Sequence, residues 1–456
     1  MSPELRRPFS FMLRRVLLTG LPLSGVYVAD LATESTDTAM VGRLGAKLVA
    51  AAGLGGTLAY VFAAFCMALP GMVGVLVAER AAKGDHDGAA QAVQHGIWVA
   101  LALAPPGLLF FSAIGPLLRL SGQDPVIADA AGAFALALGT ALFPWIAFST
   151  LDYFVTALDR PKIAFVFAWV GVGLNALADY ALIYGHFGLP RLGIVGAALA
   201  TGATALTTFL LLGAVIHHKA EFRAYPVFRR FYRFSPATFL EILRTGAPNG
   251  LAAIGDVVCG SVIAILVGRF SADLLAASQI ALTFNQFVFA FISGIGLALT
   301  YFVAELKGGG RHFEIRGAWF AAQGIALTFL GLILVVSLAA PRLIVWIYLD
   351  LDDPANAAAI HWSIVTLGIV SFTRIFRAAL GMSWRALNGL KDTLFPSLAT
   401  IGCTWLLGLP LGYVLAGPGG LGGVGFLWSE AIGIGLAAVL VGARFWRRSG
   451  LLAATG

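Results

Sequence analysis

Two stretches decide the fold of this chain: TGLPLSGVYVADLATESTDTAMVGR at residues 19–43 and TGAPNGLAAIGDVVCGSVIAILVGR at residues 245–269. Identical residues recur between them at a constant offset of 226: Thr19, Gly20, Pro22, Asp30, Val41, Gly42 and Arg43 return as Thr245, Gly246, Pro248, Asp256, Val267, Gly268 and Arg269. Later in each half the offset becomes 229, where Leu182, Tyr184 and Gly188 return as Leu411, Tyr413 and Gly417. The repeat predicts two tandem halves of related structure.

The composition is typical of a membrane protein. Of the 456 residues, 59% are hydrophobic and 12% are charged, and the mean hydropathy is +0.88. A soluble chain of this length could not bury so much apolar surface. Twelve stretches with few charges exceed the about 20 residues that a spanning helix needs. They are residues 16–42, 48–78, 91–118, 127–158, 162–185, 192–216, 243–268, 274–305, 317–348, 357–386, 393–415 and 422–443.

Six of these stretches fall in each half of the chain, which agrees with the repeat. We therefore predict an all-α integral membrane protein of twelve transmembrane helices, arranged in two six-helix lobes that an internal tandem repeat relates. The expected lobes are residues 1–216 and 242–456, joined by a cytoplasmic linker at residues 217–241. Tandem halves in a strongly apolar chain are typical of secondary transporters, whose binding sites lie between the repeats.

The formal net charge of +7 reflects membrane topology. An even number of spans puts both termini on one side, and that side carries most of the Lys and Arg residues, which marks it as cytoplasmic. We therefore expect a multi-pass protein of the cell inner membrane, with both termini in the cytoplasm and the lipid bilayer rather than nucleic acid as its partner. The linker holds Arg229, Arg230 and Arg233 among aromatic residues, a composition that fits the interface beside anionic headgroups.

The first predicted helix carries three acidic residues. An ionisable side chain at membrane depth is costly, so each one is a candidate functional residue. Asp30, Glu34 and Asp37 are spaced by four and three residues, which puts them on one helical face. That face must line an aqueous cavity or a partner helix, and repulsion among the carboxylates makes one of them a candidate proton carrier. Alternatively, some or all of the three lie near the outer mouth and are simply solvated.

The fifth predicted helix carries Asn175 and Asp179 one turn apart. A carboxylate with an amide oxygen suits a dehydrated Na⁺ ion, or a proton held between hydrogen-bonding partners. Thr201 in the sixth helix could add a hydroxyl oxygen. The structural alternative is an interhelical hydrogen bond that only stabilises the bundle.

The second half has its own polar residues at membrane depth. Asp256 occupies the repeat position of Asp30, and the tenth predicted span contains two arginines, Arg374 and Arg377. A buried arginine needs a carboxylate partner. Asp256 with Arg377 is a plausible pair, as is Glu430 with either arginine. Candidate cleft residues of this half are Asp256, Gln279, Asn285, Arg377 and Glu430.

Two prolines stand at equivalent places in the leading helix of each half. Pro22 and Pro248 each remove a backbone hydrogen bond and allow a kink, so both are predicted hinges. Motifs of enzymes and of phosphate-binding loops are missing from the sequence, which favours a protein without enzymatic activity or cofactor and argues against ATP as its energy source.

The chain resembles the multidrug and toxic compound extrusion (MATE) transporters, in particular their NorM-like branch. Residues 35–42 (STDTAMVG) resemble the Asp-Thr-x-x-x-Gly signature of the family's first helix, and Pro22 fits its bend proline. Residues 174–190 (LNALADYALIYGHFGLP) resemble its fifth helix and the following turn, and residues 193–201 (GIVGAALAT) resemble the start of its sixth. Residues 389–392 (GLKD) fit the turn after its tenth helix.

The resemblance implies two six-helix lobes across a central cleft, and export of organic, often cationic and amphipathic compounds in exchange for H⁺ or Na⁺. It assigns Asp37, Asn175, Asp179 and Thr201 to the coupling site in the amino-terminal lobe. It also reveals a departure: many NorM-like members have an acid in the tenth helix where this chain has Arg377. We expect a monomer whose ligand is a small organic molecule.

Two alternatives stay open at the level of sequence. The first is a flippase of the same superfold that moves a lipid-linked saccharide or another lipid, although such proteins usually need a strongly cationic cavity. The second is a membrane-embedded enzyme, for which the sequence offers no nucleophile–base or metal-ligand constellation.

Overall fold

The computed structural model describes residues 7–230 and 234–455. Arg233 of the predicted linker, with Phe231 and Tyr232, lies outside these ranges, as does Arg6. The described residues up to His218 form eight α-helices: α1 (Phe9–Gly42), α2 (Ala46–Ala82), α3 (His86–Ser112), α4 (Ile114–Leu120), α5 (Pro125–Gly139), α6 (Leu142–Ala157), α7 (Pro161–Tyr184) and α8 (Ile194–His218).

The second repeat consists of eight more helices over its described residues. They are α9 (Pro236–Phe270), α10 (Ala272–Gly308), α11 (Ile315–Ala339), α12 (Pro341–Trp346), α13 (Ala357–Gly389), α14 (Leu394–Ile401), α15 (Leu409–Ala416) and α16 (Val424–Thr455). A π-helical segment, Gly402–Gly408, joins α14 to α15. The described residues form no β-strand. The all-α class predicted from the sequence is confirmed.

The number of membrane spans also agrees with the prediction. Among the described residues, eleven helical segments are long and apolar enough to cross a membrane, and α5 with α6, bent by 44° at their junction, makes a twelfth if the pair is counted as one span. The bend falls where Thr140 separates the two helices. Pro144 explains it, because proline has no N–H to donate to the carbonyl four residues earlier, that of Thr140, and its ring crowds that carbonyl.

Packing divides the chain into two compact units whose limits differ from those of the repeats. The first unit contains residues 7–24 and 255–455, and the second contains Gly25–Ile254. The first half of α1 therefore packs with the second repeat, while the first half of α9 packs with the first repeat. Within the first unit, α10 packs against α13 around Ile295, Leu299 and Leu387. Within the second, α2 packs against α5 around Ala51 and Ala131.

Glycines at equivalent positions of the two repeats allow the first halves of α1 and α9 to pack against the opposite repeat. In the first unit, a Cβ atom on Gly20 would lie 3.0 Å from Cα of Ile295 in α10. In the second unit, a Cβ atom on Gly246 would lie 3.0 Å from Cα of Leu69 in α2. Both members of the first pair are 226 residues away from their counterparts in the second, the offset of the sequence repeat. Each helix can approach its neighbour this closely because glycine has no side chain.

One turn further along, the equivalent contacts differ in chemistry. Ser24 donates its hydroxyl hydrogen bond to the carbonyl of Phe291 at 2.8 Å. At the equivalent place in the second unit, a Cβ atom on Gly250 would lie 2.9 Å from the carbonyl oxygen of Phe65. The first unit therefore has a side-chain hydrogen bond where the second unit has a close contact between two helix backbones. The pairs of residues that meet are equivalent in the two repeats.

Candidate functional site

A buried cluster of two acids and one amide lies in the second unit. The amide nitrogen of Asn175 is 2.5 Å from Oδ1 of Asp37 and 3.1 Å from Oδ2 of Asp179. Asn175 and Asp179 are almost completely buried, whereas Asp37 is partly accessible. One amide group therefore holds two carboxyl groups from different helices.

The positions of these side chains follow from helix geometry. Asn175 and Asp179 are one turn apart on α7, so they project from the same face. The hydroxyl of Tyr184, further along α7, donates a hydrogen bond of 2.8 Å to the carbonyl of Met40 in α1. Because this bond sets the register between α1 and α7, Asp37 lies opposite the polar face of α7.

The two carboxyl groups are brought together at this amide and interact electrostatically. Two ionised carboxylates this close repel each other, so the arrangement is stable when one of the two groups carries a proton. Among the described residues, no N–H or O–H donor reaches the buried Oδ1 atom of Asp179. The arrangement is suited to holding one proton between two carboxyl groups.

The other residues predicted for this half are not joined to the cluster. The Thr201 hydroxyl donates to the carbonyl of Ala197 in its own helix, at 3.1 Å. Asp30 and Glu34 are exposed on α1, on the side of the helix that leads toward Asp37. The structure thus brings together Asp37, Asn175 and Asp179, and leaves the Thr201 oxygen bonded locally.

A second polar cluster lies in the first unit and is built around Arg377. Its Nη1 atom is 3.0 and 2.9 Å from the two carboxylate oxygens of Asp256, and its Nη2 atom is 2.9 Å from Oε1 of Glu430. The Arg377 side chain is 22% exposed, that of Glu430 26% and that of Asp256 46%. One guanidinium therefore pairs with two carboxylates from two other helices, α9 and α16. Asp256 and Glu430, the two carboxylates proposed from the sequence as partners of the arginines, both bind Arg377.

The remaining candidates of this half are not part of these hydrogen bonds, although Arg374 interacts electrostatically with Asp256 and Glu430. Arg374, one turn before Arg377, has its guanidinium carbon 5.8 Å from the ring centre of Phe289. Asn285 is fully buried and donates to the carbonyl of Ala281 in its own helix, at 2.9 Å. Gln279 is exposed on α10. Pro22 and Pro248 lie inside the continuous helices α1 and α9.

Sequence reasoning missed a polar anchor at the start of α9. His95 is fully buried in α3, with Nδ1 2.8 Å from the carbonyl of Gln91, while Nε2 accepts a hydrogen bond of 2.8 Å from the N–H of Ser235. Its ring stacks on Phe234, with 5.5 Å between ring centres. The signal was a histidine inside an apolar span, the position where a buried polar group needs partners.

Comparison with known proteins agrees with these observations. The sequence model of the MatE family matches residues 22–181 and again residues 248–414. The two matches begin 226 residues apart, at the offset of the internal repeat. The chain is 31% identical over 434 residues to a protein of Brucella suis named probable multidrug resistance protein NorM, covering 95% of this chain and 92% of that one. It is 34% identical over 445 residues to a protein of the same name from Pseudomonas aeruginosa, covering 96% and 90%.

Solved structures share the fold at lower identity. A MATE protein crystallised in a bent conformation superposes with a TM-score of 0.87 at 19% identity, over 98% of this chain and 99% of that one. The eukaryotic MATE transporter AtDTX14 superposes with a TM-score of 0.83 at 18% identity, over 97% and 98%. With its twofold family match and its full-length relatives, the chain belongs to the multidrug and toxic compound extrusion (MATE) family of transporters, in the NorM-like branch.

Proposed function

We propose that this protein is a secondary active antiporter that exports organic, cationic and amphipathic compounds in exchange for protons. The observation that carries the proposal is that the buried amide of Asn175 bridges the carboxyl groups of Asp37 and Asp179. Two acids that share a proton in a largely buried site bind and release it as their surroundings change, which is what coupling requires.

The donor set favours a proton over Na⁺ as the coupling ion. A sodium ion needs several oxygen atoms directed at one point. Here the amide nitrogen of Asn175, rather than its oxygen, faces both carboxyl groups, and the Thr201 hydroxyl is used by Ala197. Na⁺ coupling would require the Asn175 amide to rotate and Thr201 to turn toward the acids.

The accessible acids of α1 provide attraction for a cationic substrate. Asp30 and Glu34 are exposed on the helix that carries Asp37. A cation near them and a proton on the Asp37–Asp179 pair both neutralise the same acidic region. The two therefore compete electrostatically, which is the basis of exchange. In the second half, Asp256 is neutralised by Arg377, which makes it a weaker attractor.

Alternating access supplies the transport cycle, with lobes at residues 1–216 and 242–456 and a linker at 217–241. Pro22 lies within one turn of Gly25, where α1 changes from the first compact unit to the second, and Pro248 lies within two turns of Gly255. A missing backbone hydrogen bond at these places lets each helix bend there. Pro22 and Pro248 thus serve as hinges. The protein acts as a monomer in the cell inner membrane, with both termini in the cytoplasm.

Transport by the purified protein in liposomes tests the coupling. A fluorescent organic cation such as ethidium is followed while a pH gradient or a Na⁺ gradient is imposed separately. We expect the pH gradient to drive uptake or release, and Asp37→Asn or Asp179→Asn to abolish it. Asp273→Asn, an exposed acid in the first turn of α10, is the matched control and should transport normally.

Two outcomes would contradict this function. Equal transport by Asp37→Asn and the wild type would remove the coupling role of the acid pair. Transport that follows only the Na⁺ gradient would replace the proton by sodium. If neither gradient drives ethidium but a fluorescent lipid-linked saccharide crosses the bilayer, the flippase alternative would be favoured.

A further inference from the structure

An open cavity on the second unit has two chemically different sides. Its volume is about 520 Å³, within the about 300–1,000 Å³ typical of ligand sites. One side is apolar and is formed by Trp98 and Leu101 of α3 and Phe143 of α6. The other is formed by the linker, where Arg229 and Arg230 follow the apolar residues Val227 and Phe228. The cavity is not part of the acid–amide cluster.

The linker side of the cavity is held in place by α3. The side-chain amide of Gln94 donates to the carbonyl of Val227 at 2.6 Å and to that of Arg230 at 2.7 Å. The next residue in the sequence, His95, accepts the hydrogen bond from the N–H of Ser235 just before the start of α9. These bonds hold the described linker backbone before and after the arginines. The rim of the cavity, Arg229 and Arg230, is therefore positioned without a ligand.

The rim carries a net positive charge with hydrogen-bond donors to spare. Arg229 donates through Nη2 to the carbonyl of His217 at 2.8 Å, and Arg230 donates through Nη1 to the carboxylate of Asp87 at 2.9 Å. Asp87 thus offsets one of the two charges. A guanidinium has five N–H donors, so each arginine retains several for an anion.

We propose that this cavity binds one anionic phospholipid from the surrounding bilayer, with its phosphate at Arg229 and Arg230 and an acyl chain along Trp98, Leu101 and Phe143. Two observations select a lipid. The apolar wall belongs to spanning segments and Leu101 is 50% exposed, so it faces acyl chains. The arginines lie beyond the end of the α8 span, where phosphate groups are found.

The charge of the rim excludes the organic cations that the protein is proposed to export. A cation would meet two guanidinium groups and a single carboxylate, Asp87, that is already paired. An anionic headgroup would instead join the linker to α3 and so hold the start of α9 against the second unit. The site is therefore a structural lipid site, separate from the transport pathway.

Native mass spectrometry of the detergent-purified full chain tests the proposal. Phosphatidylglycerol and phosphatidylcholine of the same chain length are added in turn, and the bound fraction is measured. We expect phosphatidylglycerol to be preferred, and Arg229→Gln with Arg230→Gln to weaken its binding roughly tenfold or more. Leu101→Gln, which places an amide in the apolar wall, should weaken it without a change of charge.

The matched control is the double variant Arg223→Gln with Arg244→Gln, which removes two exposed charges outside the cavity. It should bind phosphatidylglycerol like the wild type. Three results would overturn the proposal: equal binding of both lipids by the wild type, an equal loss in the control, or binding of soluble glycerol phosphate as strong as that of the lipid. The last would identify a site for a soluble anion.

Discussion

Arg377 and Asp256 are joined through a single nitrogen, since Nη1 of the arginine lies within 3.0 Å of both carboxylate oxygens. The second nitrogen, Nη2, is bound by Glu430. Arg377 therefore neutralises two acids, whereas each acid neutralises only part of one guanidinium. The three residues are not equivalent, and their removal should have unequal consequences.

We expect Arg377→Ala to destabilise the protein more than Asp256→Ala. Loss of the arginine leaves two carboxylates without the guanidinium that binds them, whereas loss of Asp256 leaves Arg377 paired with Glu430. The side chains are 22% to 46% exposed, so the expected cost of Arg377→Ala is roughly 1–3 kcal/mol, between exposed and buried pairs. The melting temperature in detergent measures it.

The triple variant Arg377→Ala, Asp256→Ala and Glu430→Ala should recover part of the stability that Arg377→Ala loses, because neither carboxylate is then left without the arginine that binds it. Strictly additive losses across the series would show that the three side chains do not stabilise one another. Arg342→Ala, in the short helix α12, controls for the loss of an arginine elsewhere in the same unit.

Substitutions in the acid–amide cluster should distinguish coupling to protons from coupling to Na⁺. Asn175→Leu removes the amide that donates to both acids, and a hydrogen bond to a charged group is worth about 1.5–3 kcal/mol. We expect transport driven by a pH gradient to fall about tenfold or more. Thr201→Val should retain transport, because the Thr201 hydroxyl is bonded to Ala197. Loss of transport in Thr201→Val would instead make that hydroxyl a cation ligand.

The exchanged halves of α1 and α9 depend on equivalent glycines. We expect Gly246→Val to cost roughly 1–3 kcal/mol, because its side chain would overlap the backbone of Leu69. Gly20→Val should behave similarly through Ile295. The yield of folded protein on size-exclusion chromatography checks both. Gly324→Ala is the control, since no atom lies within 4 Å of its added carbon, and a comparable loss there would refute the explanation.

The anchor between His95 and Ser235 should be detectable by proteolysis. His95→Leu leaves the Ser235 N–H without its acceptor, at a cost of about 1–3 kcal/mol. We expect faster tryptic cleavage at the neighbouring Arg229 and Arg230, with a lower melting temperature. His361→Leu, an exposed histidine at the start of α13, should cleave at the wild-type rate. Unchanged cleavage in His95→Leu would show that the linker is held by other contacts.

Local patterns were enough to predict the helices and one of the polar clusters. Apolar length predicts spans because the bilayer thickness sets how many residues must be apolar. The spacing of Asn175 and Asp179 predicts a shared face because α-helical geometry is the same in every sequence. The family signature around Asp37 then brought that acid into the same site. These inferences use only short-range geometry, or residues that identify the family.

Only the tertiary structure decided which surfaces meet. The repeat shows that Gly20 and Gly246 are equivalent, but an offset does not reveal that the first half of each leading helix packs with the opposite repeat. The sequence left Glu430 with a choice of two arginines, because the distance between α13 and α16 side chains depends on how whole helices pack. Thr201 was placed by type at the coupling site, yet its hydroxyl bonds to its own helix. Sequence determines helices through local periodicity, whereas contacts between distant helices depend on the packing of all of them together.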